Sequence, residues 1–213
     1  MPEVKLTRHT ISKPTILLML SGGLDSLGCL HILLTDPKYQ DYAIHAHHVH
    51  IVNYEDRADA EQLAIQRILE YAKTHYRKFE YSESSHMASS FNSGIPWDSD
   101  VTNFVAGNIC LSCAAIVMVA IGRTKTDEVG GDNYSKRVTR SVELFKLFSN
   151  ATKLYPVMHL NKQDVYALLP PELSSLAWSC RTPIKVGSKF EECGKCKTCT
   201  LELPLIRRQR NVG

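Results

Sequence analysis

The sequence has no run of the about 18 to 20 apolar residues that a membrane span needs. It has no apolar N-terminal stretch of signal-peptide type either, because Ile16 to Leu20 is short and leads straight into a glycine turn. Repeats, collagenous periodicity and low-complexity tracts are missing. Charge of one sign is scarce: the formal net charge is +3, and Arg207, Arg208 and Arg210 make only a short basic tail. Such a tail reads as solvated, so direct nucleic-acid binding is not expected. These absences leave a cytoplasmic globular chain. Its seven cysteines are odd in number and clustered, which excludes a disulfide framework and points to metal or catalysis.

What is present suits one α/β domain with a small appendage. The chain has 213 residues, 44% of them apolar and 22% charged, which is enough for a sizeable core. Thr15 to Leu20 reads as a buried strand, Leu27 to Leu34 as a helix and Tyr42 to Val52 as a second strand. Arg57 to Thr74 is the clearest amphipathic helix, with Ala60, Leu63, Ala64, Ile68 and Leu69 on one side. Lys78 to Tyr81 predicts a third strand. Glu83 to Asp100 predicts a long Ser-rich loop, a lid carrying Trp97 and Asp98. Asn103 to Ile121 then predicts one apolar helix, Glu128 to Gly131 a strand, and Ser141 to Phe148 a helix. Lys153 to Val157 follows as a fifth strand, and Lys162 to Leu169 as a helix capped by Asn161. Strands separated by helices predict a three-layer parallel sheet of Rossmann type over residues 1–177. The cysteine-rich segment occupies 178–213.

In such sheets ligands sit beyond the carboxyl ends of the strands, which is where Leu20-Ser21-Gly22-Gly23-Leu24-Asp25-Ser26 falls. Glycines let the backbone approach an anion, and the following helix turns free N–H groups toward it. Ser21 and Ser26 add hydroxyls, while Asp25 suits Mg²⁺ or loop orientation better than direct phosphate contact. The turn lacks the lysine of a Walker-type loop and the spacing of a dinucleotide fingerprint. An ordinary strand-to-helix turn capped by Asp25 and Ser26 is the plainer alternative.

The second motif is Cys180…Cys193-x-x-Cys196-x-x-Cys199. Four thiolates close a tetrahedral Zn²⁺ shell, which would be structural because it leaves no position for substrate. An iron–sulfur site or a redox pair is the alternative. Cys29, Cys110 and Cys113 lie among apolar neighbours and read as buried thiols. His45, His47, His48 and His50 alternate along the second strand as wall residues.

Ser-Gly-Gly-Leu-Asp-Ser resembles the signature of PP-loop ATP pyrophosphatases. Adding Trp178-Ser179-Cys180 and Cys193-Gly194-Lys195-Cys196-Lys197-Thr198-Cys199, the chain resembles 7-cyano-7-deazaguanine synthases from about Thr15 to Leu203. The resemblance implies ATP, Mg²⁺ and Zn²⁺ as cofactors and frequently a homodimer. It also implies adenylation of the carboxylate of 7-carboxy-7-deazaguanine, followed by attack of ammonia to give amide and then nitrile. Asp25, Ser26 and Lys162 would be catalytic. The loop Leu20 to Ser26 with His47 would bind ATP, and Asn108, Asp132 and Asn133 would contact substrate. The family's Pro-Ala-Arg-Asn string is reduced here to Phe104-Val105-Ala106-Gly107-Asn108, which has no arginine. Its Tyr-Gly-Gln turn is replaced by His47-His48-Val49-His50. A paralogue that stops at the amide or joins a deazaguanine to another acceptor, a protein included, is the runner-up. A PP-loop tRNA-modifying enzyme and a non-catalytic nucleotide sensor stand behind it.

Overall fold

The computed structural model describes residues 13–87, 98–129 and 131–204, with backbone alone at 128, 129, 131–135, 201 and 202. Five strands form one parallel sheet in the order β3-β2-β1-β4-β5: β1 Thr15–Met19, β2 Ala43–Val52, β3 Glu80–Met87, β4 Ile116–Ile121 and β5 Thr152–Leu154. Strand β1 is central and buried on both faces, as its uninterrupted apolar run Thr-Ile-Leu-Leu-Met requires.

Successive side chains of β1 feed two different cores. Ile16 and Leu18 pack with helices α1 (Leu24–Thr35), α2 (Ala58–His75) and α5 (Lys162–Leu168), through Leu27, Leu30, Leu33, Ile65, Ile68 and Val165. Leu17 and Met19 point the other way. They meet α3 (Asp98–Ser112) and α4 (Gly131–Lys146) through Val101, Ala106, Cys110 and Phe145. Helices on both faces of a parallel sheet give the three-layer Rossmann-like arrangement that the alternation of elements predicts.

Several boundaries differ from expectation. The single helix over Asn103 to Ile121 is two elements, α3 and β4. A short apolar run has no periodicity to separate strand from helix, and Ile-Val-Met-Val-Ala-Ile, rich in β-branched residues, takes the strand. The expected strand at Glu128 to Gly131 is instead the end of a 3₁₀ turn, Lys125–Val129, and the start of α4. Glu83 to Met87 belongs to β3, which is longer than expected, and Asp98 opens α3. Trp97 and the rest of the expected lid lie outside the described residues. The Asn161 cap is present as a capping box: Asn161 Oδ1 accepts from the Asp164 amide at 2.9 Å, and the Asp164 carboxylate accepts from the Asn161 amide at 3.0 Å.

After the short helix α6 (Pro171–Ser174) the chain leaves the sheet. A small antiparallel hairpin, β6 Ile184–Val186 and β7 Lys189–Glu191, bridges Cys180 and Cys193.

Candidate active site and metal centre

In the order 3-2-1-4-5 the connections leave β1 and β4 toward opposite faces, opening a crevice at their carboxyl ends. A cavity of about 390 Å³ lies there, reaching from the Ser21–Ser26 loop to the cysteine segment.

Backbone geometry shapes its first wall. Gly22 takes φ +81°, which glycine accommodates without a Cβ penalty. Ser26 Oγ donates to the Gly23 carbonyl at 3.0 Å and accepts from the Ser21 amide at 3.1 Å. The two serine hydroxyls lie 3.0 Å apart, so the loop is closed on itself ahead of α1. The first-turn amides of α1 have no intrahelical partner and open toward the crevice. Across the switch point, Gly122 follows β4. A Cβ there would sit 2.5 Å from the Ser26 amide nitrogen and 2.7 Å from the Asp25 carbonyl carbon, so only glycine lets β4 lie against the loop. Lys162 at the start of α5 places Nζ 3.5 Å from Asp25 Oδ2, and both line the cavity. Asp127 lines it too. One of its carboxylate oxygens accepts from the Thr124 amide at 2.8 Å and from the Thr124 hydroxyl at 3.1 Å.

The second wall is ionic. Arg57, 8% exposed, donates to Glu61 Oε1 at 2.5 Å and to Asp98 Oδ2 at 2.5 Å, and its Nε lies 2.8 Å from Glu55 Oε2. Arg181 reaches over from the cysteine segment to clasp both oxygens of Glu55 at 2.9 and 3.0 Å, and to donate to Asp98 at 3.2 Å. Burial pushes the Glu61 carboxyl up to about 7 against the opposing pull of Arg57. Asn103 lines the same cavity. Its amide donates to the Ser99 carbonyl and to Ser141 Oγ, each at 2.8 Å, and its oxygen accepts from Lys153 Nζ. Lys153 lies over the Phe145 ring, and burial lowers its ammonium to about 7.

The cysteine segment closes the crevice. The Trp178 amide donates to the Gly22 carbonyl at 2.9 Å, and Trp178, Ser179, Arg181 and Thr198 all line the cavity. Behind them the sulfurs of Cys180, Cys193, Cys196 and Cys199 lie within 4.8 Å of one another, with Cys193 and Cys199 at 3.9 Å. A tetrahedral shell with bonds of about 2.3 Å spaces its sulfurs by about 3.8 Å, so the four suit a single metal ion. The Cys193 amide donates to Cys180 Sγ at 3.3 Å and the Cys196 amide to Cys193 Sγ at 3.2 Å. The Thr182 hydroxyl, at 3.2 Å, holds the Cys193 thiol down at about 5, as a thiolate ligand requires.

Of the residues expected at the site, Ser21, Gly23, Leu24, Asp25, Ser26 and Lys162 line the cavity. Leu20 is buried behind them. Its carbonyl accepts from His48 Nδ1 at 2.9 Å, which leaves Leu20 a backbone role. His47, 5% exposed, borders a smaller adjoining pocket with Leu20 and Ser21, its ring held between Ser82 and Ser84 at 2.8 and 2.9 Å. Burial drops its pKa to about 4, so it is a neutral wall residue at pH 7. Asn108 lies away from the cavity. It is exposed on α3 with its amide on the Phe104 carbonyl at 2.8 Å, and Asn103 of the same helix lines the cavity. Gly131-Asp132-Asn133 begins a helix rather than ending a strand, and the Asp132 and Asn133 side chains lie outside the described residues.

Among the cavity-lining residues, Arg57, Glu61, Asn103, Gly122, Asp127 and Arg181 were not singled out from the sequence, and Asp98 was expected in a lid rather than at the start of α3. Gly122 carried a legible signal: it follows an apolar run just as the Ser21–Gly23 turn does.

No protein-family profile matches the chain, and no curated protein matches it in sequence. Among solved structures, it is similar to the U34-tRNA thiolase NcsA from Methanococcus maripaludis, determined with its [4Fe-4S] cluster. The TM-score is 0.56 and the identity 16%, over 97% of this chain and 70% of that one. The likeness shows a shared fold.

Proposed function

We propose that the chain is an ATP-dependent ligase of the PP-loop type, which adenylates a carboxylate and releases pyrophosphate. The carrying observation is the joint placement of Ser21–Ser26, Asp25 and Lys162 at the switch-point crevice. There the amides of the loop and of α1 hold the β- and γ-phosphates, and Lys162 offsets their charge. Asp25 and Asp127 supply oxygen ligands of the kind that Mg²⁺ takes together with phosphate oxygens. AMP makes the activated acid a good electrophile, and a bound nucleophile then displaces it.

The acid in this reading is 7-carboxy-7-deazaguanine and the nucleophile ammonia, giving the amide and then the nitrile. The tail Trp178-Ser179-Cys180 and the Cys193–Cys199 run support it, as does the fit of the four sulfurs to one ion. A four-iron cluster spreads its ligand sulfurs further apart, so Zn²⁺ is the metal that suits them. The fold shared with a tRNA thiolase supports a second reading, in which the acceptor is a base within tRNA.

Incubation with ATP, Mg²⁺, ammonia and 7-carboxy-7-deazaguanine, followed by mass spectrometry, separates these readings. Amide or nitrile together with AMP is the expected result. AMP formed only when tRNA is added would favour the second reading. No AMP under either condition would refute both.

A further inference from the structure

We propose that Glu61 is the proton acceptor for the nucleophile in the second half-reaction, facing the adenylated acid from the ionic wall of the crevice. The proposal rests on the adenylating reading above. No motif marks Glu61 in the sequence, where it sits four residues after Arg57 in an amphipathic helix, a spacing usually read as a solvated ion pair.

The structure gives it a different setting. Glu61 is 7% exposed and lines both the main cavity and the adjoining pocket beside Leu20 and His47. Its first turn of α2 lies directly beneath the loop, with the Glu61 carbonyl oxygen 3.3 Å from where a Cβ on Gly22 would stand. One carboxylate oxygen, Oε1, is fixed by Arg57 Nη1. The other, Oε2, accepts no hydrogen bond among the described residues. The side chain is therefore oriented through one oxygen, while the other remains for the crevice.

Four charged groups face it: Arg57 from its own helix, Glu55 from the turn before, Asp98 from α3 and Arg181 from the cysteine segment. They hold two positive and two negative charges, so burial dominates and the carboxyl titrates at about 7 instead of its ordinary 4.5. A base of that strength is matched to work near neutral pH. His47, the imidazole at this pocket, is kept neutral by burial and hydrogen-bonded on both nitrogens.

The step balances. The ammonia nitrogen attacks the acyl carbon and a C–N bond forms. The C–O bond to AMP breaks, and AMP leaves with that electron pair. The surplus N–H proton passes to Glu61 Oε2, and from there to water. Acyl-adenylate, ammonia and carboxylate become amide, AMP and carboxylic acid, with no other reagent.

The test measures the two half-reactions separately in the full chain, with 7-carboxy-7-deazaguanine as the acid. ATP–pyrophosphate exchange reads adenylation, and amide formation with ammonia reads transfer. At a fixed concentration of free ammonia, Glu61→Gln is expected to slow transfer by about 10²-fold, far more than exchange, and to abolish the rise in transfer rate through pH 7. Glu61→Asp, with its carboxyl drawn back by one methylene, should keep that pH limb at a reduced rate. Transfer by Glu61→Gln within threefold of wild type, with the limb intact, would overturn the assignment. Loss of exchange in both variants would do so too, by placing Glu61 with adenylation. Absence of exchange in the wild type would instead remove the adenylating reading itself.

Discussion

The glycine loop and the cysteine segment meet at the hydrogen bond from the Trp178 amide to the Gly22 carbonyl, yet they are held by different forces. The loop hangs from β1, whose side chains are buried in two cores at once, and it is locked by backbone contacts with Gly122 and by the Ser21–Ser26 hydroxyl pair. The cysteine segment has almost no core. Ile184 and Val186 are exposed, each at 49%, and its order comes from four sulfurs, from Arg181 on Glu55 and Asp98, and from that single amide. Hydrophobic burial places the loop side of the crevice, whereas the cysteine cluster and ion pairs place the ionic side. The two walls should therefore fail independently.

Metal removal tests that most severely. Structural zinc binding is worth on the order of 10 to 16 kcal/mol in small zinc-finger peptides, and here the binding energy would be what orders residues 178–204. A strong chelator, or Cys196→Ser, is expected to open that segment. Limited proteolysis should then cut beyond Trp178 while the sheet keeps its far-UV circular dichroism. Loss of the whole fold at once would show that the walls are one unit.

The converse experiment leaves the metal in place. Gly122→Ala pushes a methyl group into the Ser26 amide, and loop displacements approaching an ångström cost about 10²-fold in rate. AMP formation should fall by that order with zinc content unchanged. Near-normal activity would mean that β4 does not brace the loop.

The smallest effect belongs to neither wall. Asn108→Ala removes an exposed amide bonded within its own helix, so stability should shift by no more than about 0.5 kcal/mol, with amide formation unchanged. A substantial loss of activity, read in the same mass-spectrometric assay, would bring α3's outer face into the site.

The difference between the walls also explains what the sequence made legible. Thr15 to Ser26 could be read because a buried strand, a glycine turn and a helix start follow one another in the chain, each with local chemistry. The cysteine spacing is likewise a pattern within a few residues. The ionic wall is assembled from Glu55, Glu61, Asp98 and Arg181, which are scattered along the sequence and individually resemble surface charges. Burial alone gives them meaning, and burial is a tertiary property. The merged helix over Asn103 to Ile121 hid β4, and with it Gly122 and the identity of the strand across the crevice. Asn108 was marked by the resemblance alone, while Asn103, which lies five positions earlier and on the buried side of α3, carries no motif.

The phosphate bond that is broken distinguishes adenylation from simple ATP hydrolysis or phosphoryl transfer. Phosphorus-31 NMR of the chain with ATP, Mg²⁺, ammonia and the acid substrate resolves the products directly. AMP and pyrophosphate in equal amounts, abolished by Asp25→Ala, are the predicted result. ADP with orthophosphate, or turnover that survives Asp25→Ala, would contradict the account.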